Sequence, residues 1–147
     1  MKPRGIILVP TLMAGEWVTE QAGTGHLPPA VRPKAELIGP QMAANFARAL
    51  RAGVKIMFGT DSGVYRHGDN AREFELMVAA GMRPIDAIRS ATTVPAAYLG
   101  IADRFGTVEA GKVADLVAVP GNPLENIAVL RKVDFVMLAG KVVERAP

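Results

Sequence analysis

The sequence predicts an α/β fold, and three features carry that prediction. Residues 6–9 (IILV) and 54–58 (VKIMF) are short apolar runs of the kind that fill strands buried on both faces. Between them a helix-periodic segment closes on a glycine, so strand, helix and strand make a βαβ unit with parallel strands. After about residue 106 the texture changes to short strands and turn residues, which predicts a second, smaller piece.

Taken in order, residues 6–9 form a buried strand that runs on through Pro10 toward Leu12 and Met13. Because that strand starts within five residues of Met1, the chain is expected to begin inside a fold. Residues 14–27, with Gly15, Gly23 and Gly25, read as a loop. The segment PPAVRPKAEL reads as a short, proline-limited helix, and Pro40 can open the next one. Met42, Phe46, Ala49 and Leu50 then recur at helical spacing, with Gly53 as the C-terminal cap. Residues 54–58 are the second buried strand, and residues 59–63 (GTDSG) turn the chain sharply. Residues 70–80 predict a helix with Phe74, Met77 and Val78 on one face, closed by Gly81. Pro84 opens another with Ile85 and Ile88 inward, and PAAYLG is a last helical turn ending at Gly100. A strand at 113–119 leads into a Pro-Gly-Asn-Pro turn, and VDFVMLAGKVVER predicts a hairpin about Ala139 and Gly140 with residues 141–144 returning. Three short strands cannot cover a sheet by themselves, so this piece needs partners.

Composition narrows the function classes. Lys and Arg number 17 against 14 Asp and Glu, and the excess lies in residues 1–53. Basic residues do not cluster with interleaved aromatics, which argues against nucleic-acid binding. With no cysteine, disulfides, thiolate catalysis and Cys-based zinc sites are excluded, and a reducing, cytoplasmic setting is expected. No run approaches the roughly 20 apolar residues of a membrane span. The run IILV is broken by Pro10, so it does not make a secretion signal.

Asp61 stands just past the C-terminal end of the strand at 54–58, the edge of a parallel sheet where catalytic groups collect. A carboxylate there can bind a divalent metal and take a proton from its bound water. It can equally cap a turn, a common place for Asp beside glycine. His67 shares the following loop with Asp69, and His26 lies in a Gly-rich loop far from any carboxylate in sequence. These are the only two histidines and no HxH or HExxH spacing occurs, so a complete zinc site cannot be written from this chain. Ser62 lacks the GxSxG elbow of a serine hydrolase, and GTDSG lacks the Gly-Lys-Ser/Thr of a phosphate loop. Glu73 and Glu75 fall in the first turn of a helix, where the dipole accounts for both. Asp115 marks a strand edge.

Three stretches together resemble the C-terminal part of the metal-dependent amidohydrolase superfamily. They are AGVKIMFGTDSGVYRHGDNAREFELMVAAGMRPIDAIRSATTVPAAYLGI, GTVEAGKVADLVAVPGNPLENI and VDFVMLAGKVV. The likeness is carried by residues 50–147 and continues over 1–49, and its branch is similar to imidazolonepropionase-like enzymes and Xaa-Pro dipeptidases. That resemblance implies a (β/α)8 (TIM-like) barrel beside a small β-sandwich. Residues 1–105 would be the last two β/α units of the barrel, strands 7 and 8, and residues 106–147 the C-terminal strands of the sandwich. It implies hydrolysis of a C–N bond in a dipeptide, cyclic amide or amidine, with one or two divalent metal ions, zinc foremost. Asp61 matches the aspartate after the eighth strand, with the role of metal ligand and general base; His67 would contact substrate. The family's HxH pair, carboxylated lysine and further histidines have no counterpart here. The isolated 147 residues are therefore expected to be inactive, and their partner to be an N-terminal part of the same enzyme or a second copy. The alternative is a non-catalytic product that associates through open strand edges.

Overall fold

The computed structural model describes residues 1–143. Where two parallel strands are predicted, the chain makes one parallel bridge between Leu8 and Ile56. Its hydrogen bonds run from Leu8 N–H to the Lys55 carbonyl (2.9 Å) and from Met57 N–H to the Leu8 carbonyl (3.0 Å). The next amide, Phe58 N–H, donates to the Ser90 carbonyl at 2.9 Å instead of to a strand. The parallel direction holds, but the two strands do not extend, because neither has a further strand beside it among the described residues. Burial on both faces is corrected as well. Ile56 is buried, whereas Ile6 and Val9 are exposed.

Residues 14–27 are not the predicted loop: α1 spans Leu12–Thr24. The second correction lies in α2, Arg32–Arg51, one helix that runs straight through Pro40. Both have the same cause. Gly15 and Gly39 are where the two helices touch, and a Cβ on Gly39 would sit 2.7 Å from Thr19 Oγ1 and 3.0 Å from the Gly15 carbonyl. Thr19 Oγ1 lies 3.0 Å from the Ala35 carbonyl and accepts the Gly39 N–H at 3.0 Å. The hydroxyl thus enters the α2 ladder one turn before the proline and satisfies the groups that a strained turn would otherwise leave open. Glycines that lower helix propensity serve here as close-packing positions.

The remaining helices follow the sequence more closely. They are α3, Arg72–Ala79; α4, Pro84–Ala91; and α5, Thr93–Tyr98. Helices α2, α3 and α5 all end as predicted on Gly53, Gly81 and Gly100, each with φ between 68° and 103°. After α2, Gly53 N–H donates to the Leu50 carbonyl and Val54 N–H to Ala49; after α3, Gly81 donates to Val78 and Met82 to Met77; after α5, Gly100 donates to Ala97 and Ile101 to Ala96. This paired pattern fills the last free carbonyls of each helix.

The core joins Leu12, Phe46, Ile56, Met77, Met82 and Ala87. On α4 the inward residues are Ala87 and Ser90, both without exposed surface, whereas Ile85 and Ile88 are only half-buried. The correction follows from the Phe58–Ser90 hydrogen bond, which draws α4 so close to the bridge that only small side chains fit between.

The C-terminal piece is a three-stranded antiparallel sheet of β1 (Leu116–Ala118), β2 (Phe135–Leu138) and β3 (Lys141–Val142), in the order β1-β2-β3. Leu116 faces Met137, and Met137 in turn faces Val142. The predicted hairpin forms: Ala139 and Gly140 have φ of 49° and 79°, the two left-handed residues of a tight hairpin turn. Asp115 sits at the strand edge as expected, where its Oδ1 accepts the Ala139 N–H at 2.7 Å. Strand β1 is shorter than the predicted 113–119, and the predicted return as far as Glu144 ends outside the described residues. Val117 and Leu138, on one face of the sheet, and Val142, on the other, are all exposed.

Candidate functional site

The loop from Gly59 to Ala71 leaves the parallel bridge and returns into α3, and both its ends are pinned. At the start, Phe58 stacks on Phe74 with ring centroids 4.2 Å apart. Gly59 lies against Val9, leaving no room for a Cβ. Within the loop Asn70 Nδ2 donates to Thr60 Oγ1 (3.3 Å), and Gly68 N–H donates to Asn70 Oδ1 (3.2 Å).

Asp61 is exposed at the bridge mouth, in the left-handed backbone region at φ 50°. Its carbonyl accepts Val64 N–H at 3.0 Å, closing a tight turn. A non-glycine residue held there costs of order 1 kcal/mol or more, and such strain gathers where a side chain must be aimed. His67 is exposed further along the same loop. His26 is elsewhere, at the end of α1, with Nδ1 2.6 Å from Thr24 Oγ1. Among the described residues no three His, Asp or Glu side chains come together to hold a metal ion. Asp61 is a suitable donor for a divalent cation, but one carboxylate does not close a site. Nor does the cleft of about 580 Å³ beside Leu8 and Phe46 include Asp61 or His67.

Two groups around this loop escaped the sequence reading. Glu73, which the helix dipole alone accounts for in the sequence, has no exposed surface at all. Its Oε1 accepts Leu12 N–H at 2.9 Å and its Oε2 accepts Met13 N–H at 2.8 Å. Burial pushes its pKa above the ordinary carboxylate value of 4.5, and the two backbone donors oppose that rise. The available signal was periodicity: Glu73 lies four residues before Met77, on the buried stripe of α3. Tyr65 is buried too, and its hydroxyl lacks a well-formed hydrogen bond among the described residues. Desolvation raises its pKa above 10.0, the neighbouring Thr60 side chain pulls the other way, and the Glu73, Asp61 and Asp69 charges add to the rise.

Glu75 also exceeds the dipole account. Arg72 binds Glu16 through two nitrogens at 3.0 and 3.2 Å and Glu75 at 2.9 Å. Arg131, from the 3₁₀ turn Ile127–Arg131, approaches Glu75 at 3.6 Å and Asp69 at 3.8 Å. This network ties the segment before β2 to the end of the Asp61 loop, around a cleft of about 210 Å³ that also meets Trp17. Among the described residues no helix is long and apolar enough to cross a membrane.

Comparison with known proteins gives three kinds of likeness. The model of the amidohydrolase family matches residues 1–143. Ochratoxinase of Aspergillus niger is 32% identical over 134 residues, covering 90% of this chain and 27% of the relative. Imidazolonepropionase of Thermoplasma acidophilum is 32% identical over 93 residues, covering 62% of this chain and 23% of the relative. A crystal structure of a Xaa-Pro dipeptidase with bound methionine in the active site superposes with a TM-score of 0.92 at 48% identity. That match covers 99% of this chain and 36% of the dipeptidase. The chain thus spans roughly a quarter to a third of the relatives it matches.

Proposed function

The chain belongs to the amidohydrolase family, and from that premise we propose that it is the Asp61-bearing part of a hydrolase of amide C–N bonds. Residues 1–105 would be the last two β/α units of a (β/α)8 barrel, and residues 106–147 a share of an accessory β-sandwich. The substrate class proposed is a dipeptide, in keeping with the 48% identity to a Xaa-Pro dipeptidase. The observation that carries the reading is Asp61 itself: a strained, solvent-facing carboxylate at the C-terminal mouth of a parallel pair.

In this reading Asp61 contributes one ligand to a divalent metal, zinc being the proposed ion, and segments beyond these residues contribute the others. When bound, such an ion polarises the scissile carbonyl and lowers the pKa of water. The Asp61 carboxylate accepts the proton of the attacking water and passes it to the leaving nitrogen. His67, exposed on the same loop, contacts the substrate. The open apolar surface at Ile6, Val9 and the sheet face supports a partner that covers it, either an N-terminal part of the same enzyme or a second copy.

The test grafts residues 1–143 onto the remaining part of the related Xaa-Pro dipeptidase and assays Xaa-Pro dipeptides with zinc. The graft should turn over, and Asp61→Asn should cost roughly 10²–10⁴-fold in kcat, the usual worth of general-base chemistry. A turn cap alone would accept Asn almost as well as Asp. Near-normal turnover by a correctly folded Asp61→Asn graft therefore sinks the assignment.

A further inference from the structure

The Asp61 loop is bounded by two contacts that meet at the first turn of α3. Phe58, two residues before Thr60, stacks on Phe74 at 4.2 Å, and the adjacent Glu73 sends its fully buried carboxylate to Leu12 and Met13. These two amides begin α1, whose own N-cap, Thr11, has φ 47° and makes no capping hydrogen bond with its side chain. The cap of α1 is thus supplied from 60 and 61 positions away by a residue in the first turn of α3, the helix that follows the Asp61 loop. Tyr65, within that loop, is buried and feels the charges of both Glu73 and Asp61.

We infer that Glu73 is a positioning residue that locks the mouth of the Leu8 segment to the Asp61 loop and so fixes the direction of the Asp61 carboxylate. This rests on the proposed role of Asp61. The physical requirement is two acceptor oxygens for two converging N–H donors, which only a carboxylate of this length meets. Gln keeps the shape but turns an NH₂ toward one of the donors, leaving a buried N–H unpaired. A residue that merely capped α1 would affect α1 alone; a lock must move both sides.

The experiment is residue-resolved hydrogen exchange on the full chain, wild type against Glu73→Gln. Leu12, Met13 and, within the loop, Val64, whose N–H is held by the Asp61 carbonyl, should all exchange on the order of tenfold faster or more, with the α2 terminus at Gly53 unchanged. Acceleration at Leu12 and Met13 alone reduces Glu73 to a helix cap and overturns the inference, as does no change at either place. Should Glu73→Gln not fold, exchange of the wild type in low denaturant decides: the Leu12, Met13 and Val64 amides must open as one unit, and separate openings refute the lock. In the dipeptidase graft, Glu73→Gln should lower kcat by about tenfold or more with KM little changed, because a misdirected base impairs proton transfer and not binding. A rise in KM at constant kcat counts against it. If Asp61→Asn leaves turnover intact, the Asp61 assignment fails, while the exchange experiment still judges the lock.

Discussion

Single residues at this site are read best through the groups they leave unsatisfied. Tyr65 is buried with its hydroxyl poorly paired, a desolvation cost that its ring must offset by packing. Tyr65→Phe keeps the ring and removes the cost. It should be neutral or stabilise by up to about 1 kcal/mol, read as a shift in denaturant midpoint. A loss of more than that would mean that the hydroxyl has a partner after all. Glu73 is the opposite case, a buried carboxyl group with both oxygens satisfied. Its value lies in the two strands of sequence it joins, and truncating it exposes two amides at once.

At the scale of elements, the α1–α2 contact sets helix propensity against packing. Gly23 and Gly39 are both helical glycines, and Ala is the better helix former by about 1 kcal/mol. A Cβ at Gly23 meets nothing, so Gly23→Ala should stabilise by roughly 0.5–1 kcal/mol. At Gly39 the same methyl runs into Thr19 and the Gly15 backbone, so Gly39→Ala should destabilise by about 1–3 kcal/mol despite its propensity. Thermal unfolding of the two variants should shift in opposite directions. Shifts of the same sign would show that the two helices do not pack as described.

For the whole molecule the deciding quantity is uncovered apolar surface. Ile6 and Val9 flank the parallel bridge, and Val117 and Leu138 on one face of the sheet and Val142 on the other are likewise exposed. A bridge with a free edge beside it favours pairing with another chain. Expressed alone, residues 1–147 should therefore self-associate, and sedimentation at micromolar concentration should report species larger than the monomer. A monomer with one cooperative thermal transition would contradict this. Co-expression with the N-terminal part of the related dipeptidase should suppress self-association if the same surface takes that partner.

What the sequence by itself determined is local. Gly53, Gly81 and Gly100 ended their helices because a left-handed residue is needed there and glycine adopts it without strain. The Ala139–Gly140 hairpin and the turn that holds Asp61 past residues 54–58 were legible for the same reason: turn chemistry acts within a few residues. The resemblance in GTDSG and GTVEAGKVADL likewise carried the family. Tertiary structure alone decided the rest. Residues 14–27 read as a loop because their glycines weaken a helix, and only the facing glycine of α2 shows that they serve close approach. Pro40 read as a helix start because the Thr19 hydroxyl that carries α2 through it lies about twenty residues upstream. The strands at 6–9 and 54–58 shrank to one bridge because ladder hydrogen bonds come from neighbours, which no strand contains in its own sequence. Glu73 read as a dipole partner alone because burial depends on what folds over a residue, here the start of a helix some 60 positions away.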